Sequence, residues 1–252
     1  MTPRLAAACS VLLALLGSPA AHAAQAAAPH WDYRGLHGAA HWGALEPGFE
    51  TCARGAQQSP IDIRSAVPAA LPALQFGYGS VAPTIVNNGH TVQVNLPPGN
   101  TLTLDGQRFE LLQFHFHTPS EERVAGKQAA MVAHFVHRDA EGHLAVVAAL
   151  IQPGKSNASF ESVLDHLPPH AGETLTVDGL QLDVAALLPA GRGYYDFEGS
   201  LTTPPCSEGV HWLVLKQPVT VSAAAIRNFR ALYAANARPV QPLNGRVVRV
   251  SQ

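Results

Sequence analysis

The stretch Phe109–His117 reads FELLQFHFH, and its two histidines stand two residues apart. In an extended strand successive side chains point to opposite faces, so Gln113, His115 and His117 share one face. Leu112, Phe114 and Phe116 then share the other. Two imidazoles so spaced sit roughly 7 Å apart at their Cα atoms, close enough for both rings to converge on one ion. Met131–His137 (MVAHFVH) is the natural antiparallel neighbour, because only the short connection from Pro119 to Ala130 separates the two segments. His134 and Val136 share one face of it, while Ala133, Phe135 and His137 share the other. One of His134 and His137 can therefore join His115 and His117, and alternation alone does not say which. A lone His-x-His is also what an ordinary half-buried strand carries; the third histidine is what distinguishes a metal site. Three neutral imidazoles without a fourth protein ligand leave a position open for water, the pattern of a catalytic zinc, with nitrogen–metal distances of about 2.0–2.1 Å.

The elements that must position these residues are short and alternating. Thr91–Leu96, Thr101–Leu104, Phe109–His117, Met131–His137, Leu144–Ile151, Leu175–Val184 and Val210–Lys216 read as strands. Pro97-Pro98-Gly99-Asn100, Asp105-Gly106 and Glu141-Gly142 punctuate them, and Asp105-Gly106 between alternating runs predicts a hairpin. Two helices are expected: Ser222–Ala235, with Ser222 as N-cap and Ile226, Phe229 and Tyr233 at helical spacing, and Asn157–Leu167, stopped by Pro168-Pro169. No repeat, heptad, charge block or linker divides the chain. The fold class is mainly β, in one domain with a few peripheral short helices.

Of the 252 residues, 1–23 read as a secretory signal: Arg4, the apolar run Val11–Leu16, then the small-x-small site Ala21-His22-Ala23. That run is too short to span a bilayer as a helix of roughly 20 residues, and no later segment is long enough. Residues 24–252 are then the mature domain, expected in the periplasm or secreted. Loss of Arg4 moves the formal charge from −2 to about −3, which excludes a generally basic nucleic-acid binder. Only 13% of residues are charged and 47% are hydrophobic, which excludes a disordered chain. After cleavage Cys52 and Cys206 remain, an even pair in an exported chain, read as one disulfide over two free thiols.

The chain resembles an exported bacterial alpha-class carbonic anhydrase over nearly its whole mature length. The resemblance is carried by His30-Trp31-Asp32-Tyr33, Gln57–Ile63, Asn87-Asn88-Gly89-His90, Gln113–His117, Ser120-Glu121 and His134–His137. It continues through Ser200–Cys206 and Asn236–Asn244. The resemblance implies a large twisted, mostly antiparallel central sheet with a conical cleft. It implies His115, His117 and His134 as zinc ligands, in preference to His137, and the Cys52–Cys206 bridge. It further implies reversible hydration of carbon dioxide to bicarbonate by zinc-bound hydroxide. Glu121 and Thr202 then orient the nucleophile, because an ionised Glu121 can only accept and so takes the Thr202 hydroxyl proton. Val136, Val146, Leu201, Thr203, Val210 and Trp212 fall on the positions that wall the substrate pocket. His90 falls on the proton shuttle, which an imidazole with a pKa near 6.5 suits. Two other functions would use the same constellation: a zinc hydrolase acting on esters, and a binding module that has lost its metal. The expected partner is a small molecule, with no nucleic acid and no membrane insertion, and a homodimer is allowed.

One pair of positions departs from the family pattern. A glutamate usually stands where this chain has Val132, two residues before the third ligand, and a histidine usually stands where it has Glu122. Val132 cannot accept a hydrogen bond. Glu122 is therefore expected to reach the outer nitrogen of His134 in its stead, as Gln113 is expected to support His115.

Overall fold

A computed structural model describes residues 30–252, so the export signal read over residues 1–23 lies outside the described residues. A sheet of 13 strands organises the domain. Its first strands are β1 (Ala66–Ala69), β2 (Gln75–Gly77), β3 (Thr84–Asn87), β4 (Val92–Asn95), β5 (Thr101–Leu104) and β6 (Gln107–His117). There follow β7 (Met131–Arg138), β8 (Leu144–Pro153), β9 (Thr174–Leu175), β10 (Tyr194–Ser200), β11 (Glu208–Leu215), β12 (Val219–Val221) and β13 (Val248–Ser251). They lie side by side as β9-β3-β4-β6-β7-β8-β11-β10-β13-β1, with β12 beside β8 and β5 bridging β2 to β6. The β8–β11, β8–β12 and β13–β1 pairings are parallel and the other pairings of this sheet are antiparallel. The sheet is thus mixed but mainly antiparallel. Parallel neighbours need a long crossover, and a long segment including the helix Ala158–Leu164 separates β8 from β11.

Alternation gives the sheet two apolar faces. Phe114, Phe116, Phe135, Val147 and Leu213 pack on one side against Phe160 and Phe229 of the helices Ala158–Leu164 and Ala223–Leu232. Val132, Val146, Ala148, Val210 and Trp212 form a smaller cluster on the other side with Ile61, Ile63 and Phe197. Both helices begin where their caps predict: the Asn157 side chain accepts from Ser159 and Phe160 N–H, and Ser222 from Ala225 N–H. Each such cap contributes about 1 kcal/mol.

Asp105 and Gly106 both take positive φ, +49° and +79°, and turn β5 into β6 with Leu104 opposite Gln107. This is the expected two-residue hairpin. The expected strand over Leu175–Val184 is corrected: only Thr174–Leu175 and Leu182–Asp183 are extended. Between them a turn closes from Leu180 N–H to the Val177 carbonyl, with Gly179 at φ +74°. That turn separates the two short strands, and Gly179 adopts its positive φ without steric penalty.

Candidate metal centre

Cross-strand register sets the site. Gln93, His115, His134, Ala148 and Val214 form one row across β4, β6, β7, β8 and β11. Gln113, Val136, Val146 and Trp212 form the next row. His134 therefore stands directly beside His115, with His117 one step along β6 opposite Val132. The three ring centroids are 5.0 Å (His115–His117), 5.5 Å (His115–His134) and 4.8 Å (His117–His134) apart. His137 lies past an irregularity in the β6–β7 register and bonds instead to Ala145 O and the Tyr78 hydroxyl. The choice that alternation left open falls on His134.

Each histidine has one ring nitrogen engaged and one free. His115 Nδ1 is 2.8 Å from Gln113 Oε1, His117 Nδ1 is 2.7 Å from the Asn236 carbonyl, and His134 Nε2 is 2.9 Å from Glu122 Oε1. An N–H donated to each acceptor fixes the tautomer and leaves a lone pair on the opposite nitrogen. The three ligand-capable atoms lie within 4.8 Å of one another. Burial, reinforced by His134, pushes His115 down to about 3 and holds His117 well below its usual range, so both are neutral. Burial pulls His134 down too, but Glu122 and Glu121 outweigh it and raise it.

Glu121 is fully buried on the loop between β6 and β7. Its Oε1 accepts the Arg238 backbone N–H at 2.7 Å. Burial pushes its pKa up to about 7, with Glu122 adding to the rise and His134, Thr202 and Arg238 opposing it. Its Oε2 is buried and has no hydrogen-bond partner, and Thr202 is near enough to favour the ionised form.

A cleft of about 170 Å³ opens over His115 and His117, lined also by Trp31, His90, Val136 and Leu201 among others. His90 enters it from a turn in which Asn88 Oδ1 accepts the His90 and Thr91 N–H groups, and Gly89 takes φ +88°. The His90 ring stacks on Trp31, with centroids 3.6 Å apart and planes 7° from parallel.

A family model described as eukaryotic-type carbonic anhydrase matches residues 37–252. The chain belongs to the alpha-class carbonic anhydrase family. It is 46% identical over 237 residues to a carbonic anhydrase of Pectobacterium atrosepticum, covering 94% of this chain and 97% of that one. A solved alpha-carbonic anhydrase from Thermovibrio ammonificans, in complex with the inhibitor sulfanilamide, superposes with a TM-score of 0.85 at 44% identity. That alignment covers 90% of this chain and all of the other. The Photobacterium profundum alpha-carbonic anhydrase gives 0.83 at 48%, over 88% of this chain and all of its own.

In this carbonic anhydrase the residues present fit a divalent metal that favours nitrogen. His117 Nε2 is buried with no hydrogen-bond partner, an expensive arrangement unless something coordinates it. Three imidazole nitrogens suit zinc and poorly suit calcium or magnesium, which take oxygen ligands. Of the expected pocket walls, Val136, Leu201 and Thr203 line the cleft. Val146, Val210 and Trp212 are buried in the apolar cluster that Val136 and Leu201 join, with Trp212 4.9 Å from His134 ring to ring.

The loop carrying Thr202 is pinned at both ends. Cys206 is bridged to Cys52, its N–H donates to the Thr203 carbonyl, and Leu201 N–H donates to Ser207 O. Ser59 and Ser200 exchange two hydrogen bonds, Ser59 N–H to Ser200 Oγ and Ser200 N–H to Ser59 Oγ. A Cβ at Gly199 would fall 2.2 Å from Ser59 Oγ, so this close approach requires glycine. Three residues lie in segments that carry the resemblance but have no role assigned from the sequence: Trp31, whose face carries His90, Asn236, whose carbonyl holds His117, and Arg238, whose N–H holds Glu121. The last two act through backbone atoms, for which side-chain type is no signal.

Proposed function

We propose that the chain hydrates carbon dioxide reversibly at a zinc ion held by His115, His117 and His134, with His90 carrying the product proton out of the cleft. The observation that carries this reading is the convergence of three ring nitrogens, each left free because its partner nitrogen is engaged. When bound, zinc supplies Lewis acidity that brings the pKa of water down to about 7; carbonic anhydrase is itself the reference case for that figure. Gln113, the Asn236 carbonyl and Glu122 hold the three rings in the receptive tautomers. Glu121 is anchored by Arg238, and in its ionised form its free Oε2 can accept the Thr202 hydroxyl hydrogen bond, leaving the Thr202 oxygen only accepting. That selects one orientation for the attacking oxygen. Val136 and Leu201 give the small apolar substrate a dry wall.

Each turnover releases a proton. Partial burial and nearby His30 lower the His90 pKa from its usual value, with Asp32 opposing. A neutral imidazole at pH 7 can accept that proton and pass it to solvent. The Cys52–Cys206 bridge, together with the signal read over residues 1–23, supports export to an oxidising compartment, the periplasm in the simplest case. Among the described residues no helix is long and apolar enough to cross a membrane. Metal analysis and carbon dioxide hydration on one sample test the reading. About one zinc per chain is expected, and His117→Ala should lose the metal and reduce hydration to the uncatalysed rate. Full activity in His117→Ala overturns the assignment.

A further inference from the structure

We propose that Glu122 is the carboxylate that positions His134, supplied by the loop instead of by the strand carrying the ligand, and that Ser120 holds it there. The inference rests on His134 being a zinc ligand. Glu122 is wholly buried and His134 is 1% exposed, so their contact is shielded from water. Glu122 Oε1 lies 2.9 Å from His134 Nε2, the nitrogen facing away from the ligand cluster. Its other oxygen is buried and has no hydrogen-bond partner. A buried carboxylate is expensive unless paired, and among the described residues the one hydrogen bond of this side chain goes to His134.

The strand offers no alternative acceptor. Val132 shares the His134 face of β7, is fully buried, and packs among Ile61, Val146 and Ala148. The loop is built to deliver Glu122 from across that gap. Ser120 Oγ donates to the Glu122 carbonyl at 2.8 Å and accepts Ala129 N–H at 2.9 Å. Gln128 Nε2 donates to the Ser120 carbonyl at 2.7 Å, and Arg123 N–H donates to Ile61 O at 3.2 Å. Consecutive carboxylates thus serve two ends of one site: Glu121 is tied to Arg238 and neighbours Thr202, while Glu122 turns onto His134.

An acceptor on Nε2 keeps the proton there, leaves the Nδ1 lone pair for the metal, and makes the ligand more basic. Losing such a partner typically costs about 10–100-fold in metal affinity. Chelator competition should show a zinc dissociation constant raised about 10–100-fold in Glu122→Gln, and raised in the same direction but less in Ser120→Ala. In the Glu122→Gln background, Val132→Glu should recover tight binding by returning a carboxylate from the strand. Unmutated protein carries its own test: ¹H–¹⁵N NMR of the zinc-loaded form should show the His134 ring proton on Nε2, slow to exchange and shifted downfield. Unchanged zinc affinity in Glu122→Gln, or a rapidly exchanging Nε2 proton, overturns the role of Glu122. A wild-type protein that binds no zinc overturns the metal reading itself, so the two failures are distinguishable.

Discussion

His137 is the histidine that alternation left in contention as a ligand, and its titration tests the core role that the fold assigns it. It is fully buried; Nδ1–H donates to Ala145 O at 3.2 Å, and Nε2 accepts from the Tyr78 hydroxyl. Burial pushes its pKa down to about 4, although the carbonyls of Ala145 and Phe135 favour the charged form. In the unfolded chain the same imidazole binds a proton near pH 6.5. As pH falls below 6.5 the unfolded state gains protons that the folded state refuses, so stability drains between 6.5 and about 4 and levels off below. From pH 7 to 4.5 the linkage amounts to about 2–3 kcal/mol from this one group. Urea unfolding of zinc-free wild type and His137→Gln at the two pH values reads it directly, since the other buried histidines are common to both proteins. The variant should be less stable at pH 7 by about 1–3 kcal/mol, from the hydrogen bonds it disturbs. It should lose about 2–3 kcal/mol less on acidification, and still bind about one zinc. Equal pH sensitivity in the two proteins would refute the buried neutral histidine; loss of zinc would refute the choice of His134.

Replacing His90 with Ala should slow turnover in weakly buffered solution while leaving the interconversion of carbon dioxide and bicarbonate at equilibrium nearly unchanged. Imidazole added as buffer should restore much of the rate, and a slowed variant indifferent to buffer would sink the shuttle role. The Cys52–Cys206 bridge spans a sequence separation of 154 residues, for which chain entropy gives about 5 kcal/mol. Urea unfolding with and without reductant should show a loss of up to that size. Reduced protein should also turn over more slowly, because the bridge anchors the Thr202 loop; an unchanged midpoint would contradict the stability role, and an unchanged rate the anchoring role.

Several features follow from single segments and are legible in the sequence. Alternation in Phe109–His117 puts Gln113, His115 and His117 on one face, since strand geometry alone dictates it. Asp105-Gly106 supplies the positive φ values of a tight hairpin, and Asn157 and Ser222 supply the caps that start the helices. Where a segment lacks such a signature the reading falters: β10, Tyr-Tyr-Asp-Phe-Glu-Gly-Ser, went unrecognised, and the apolar spacing of Leu175–Val184 conceals a turn at Gly179. What only the tertiary structure decided is convergence. His134 joins the site because β7 pairs with β6 in the register that sets it opposite His115. His117 is held by the carbonyl of Asn236 and Glu121 by the amide of Arg238, whereas the Glu122–His134 contact is already expected from the exchanged residues at positions 122 and 132. Periodicity reports the geometry of one stretch of chain against its own neighbours. Register, and backbone groups brought in from more than a hundred residues away, depend on how the whole sheet closes.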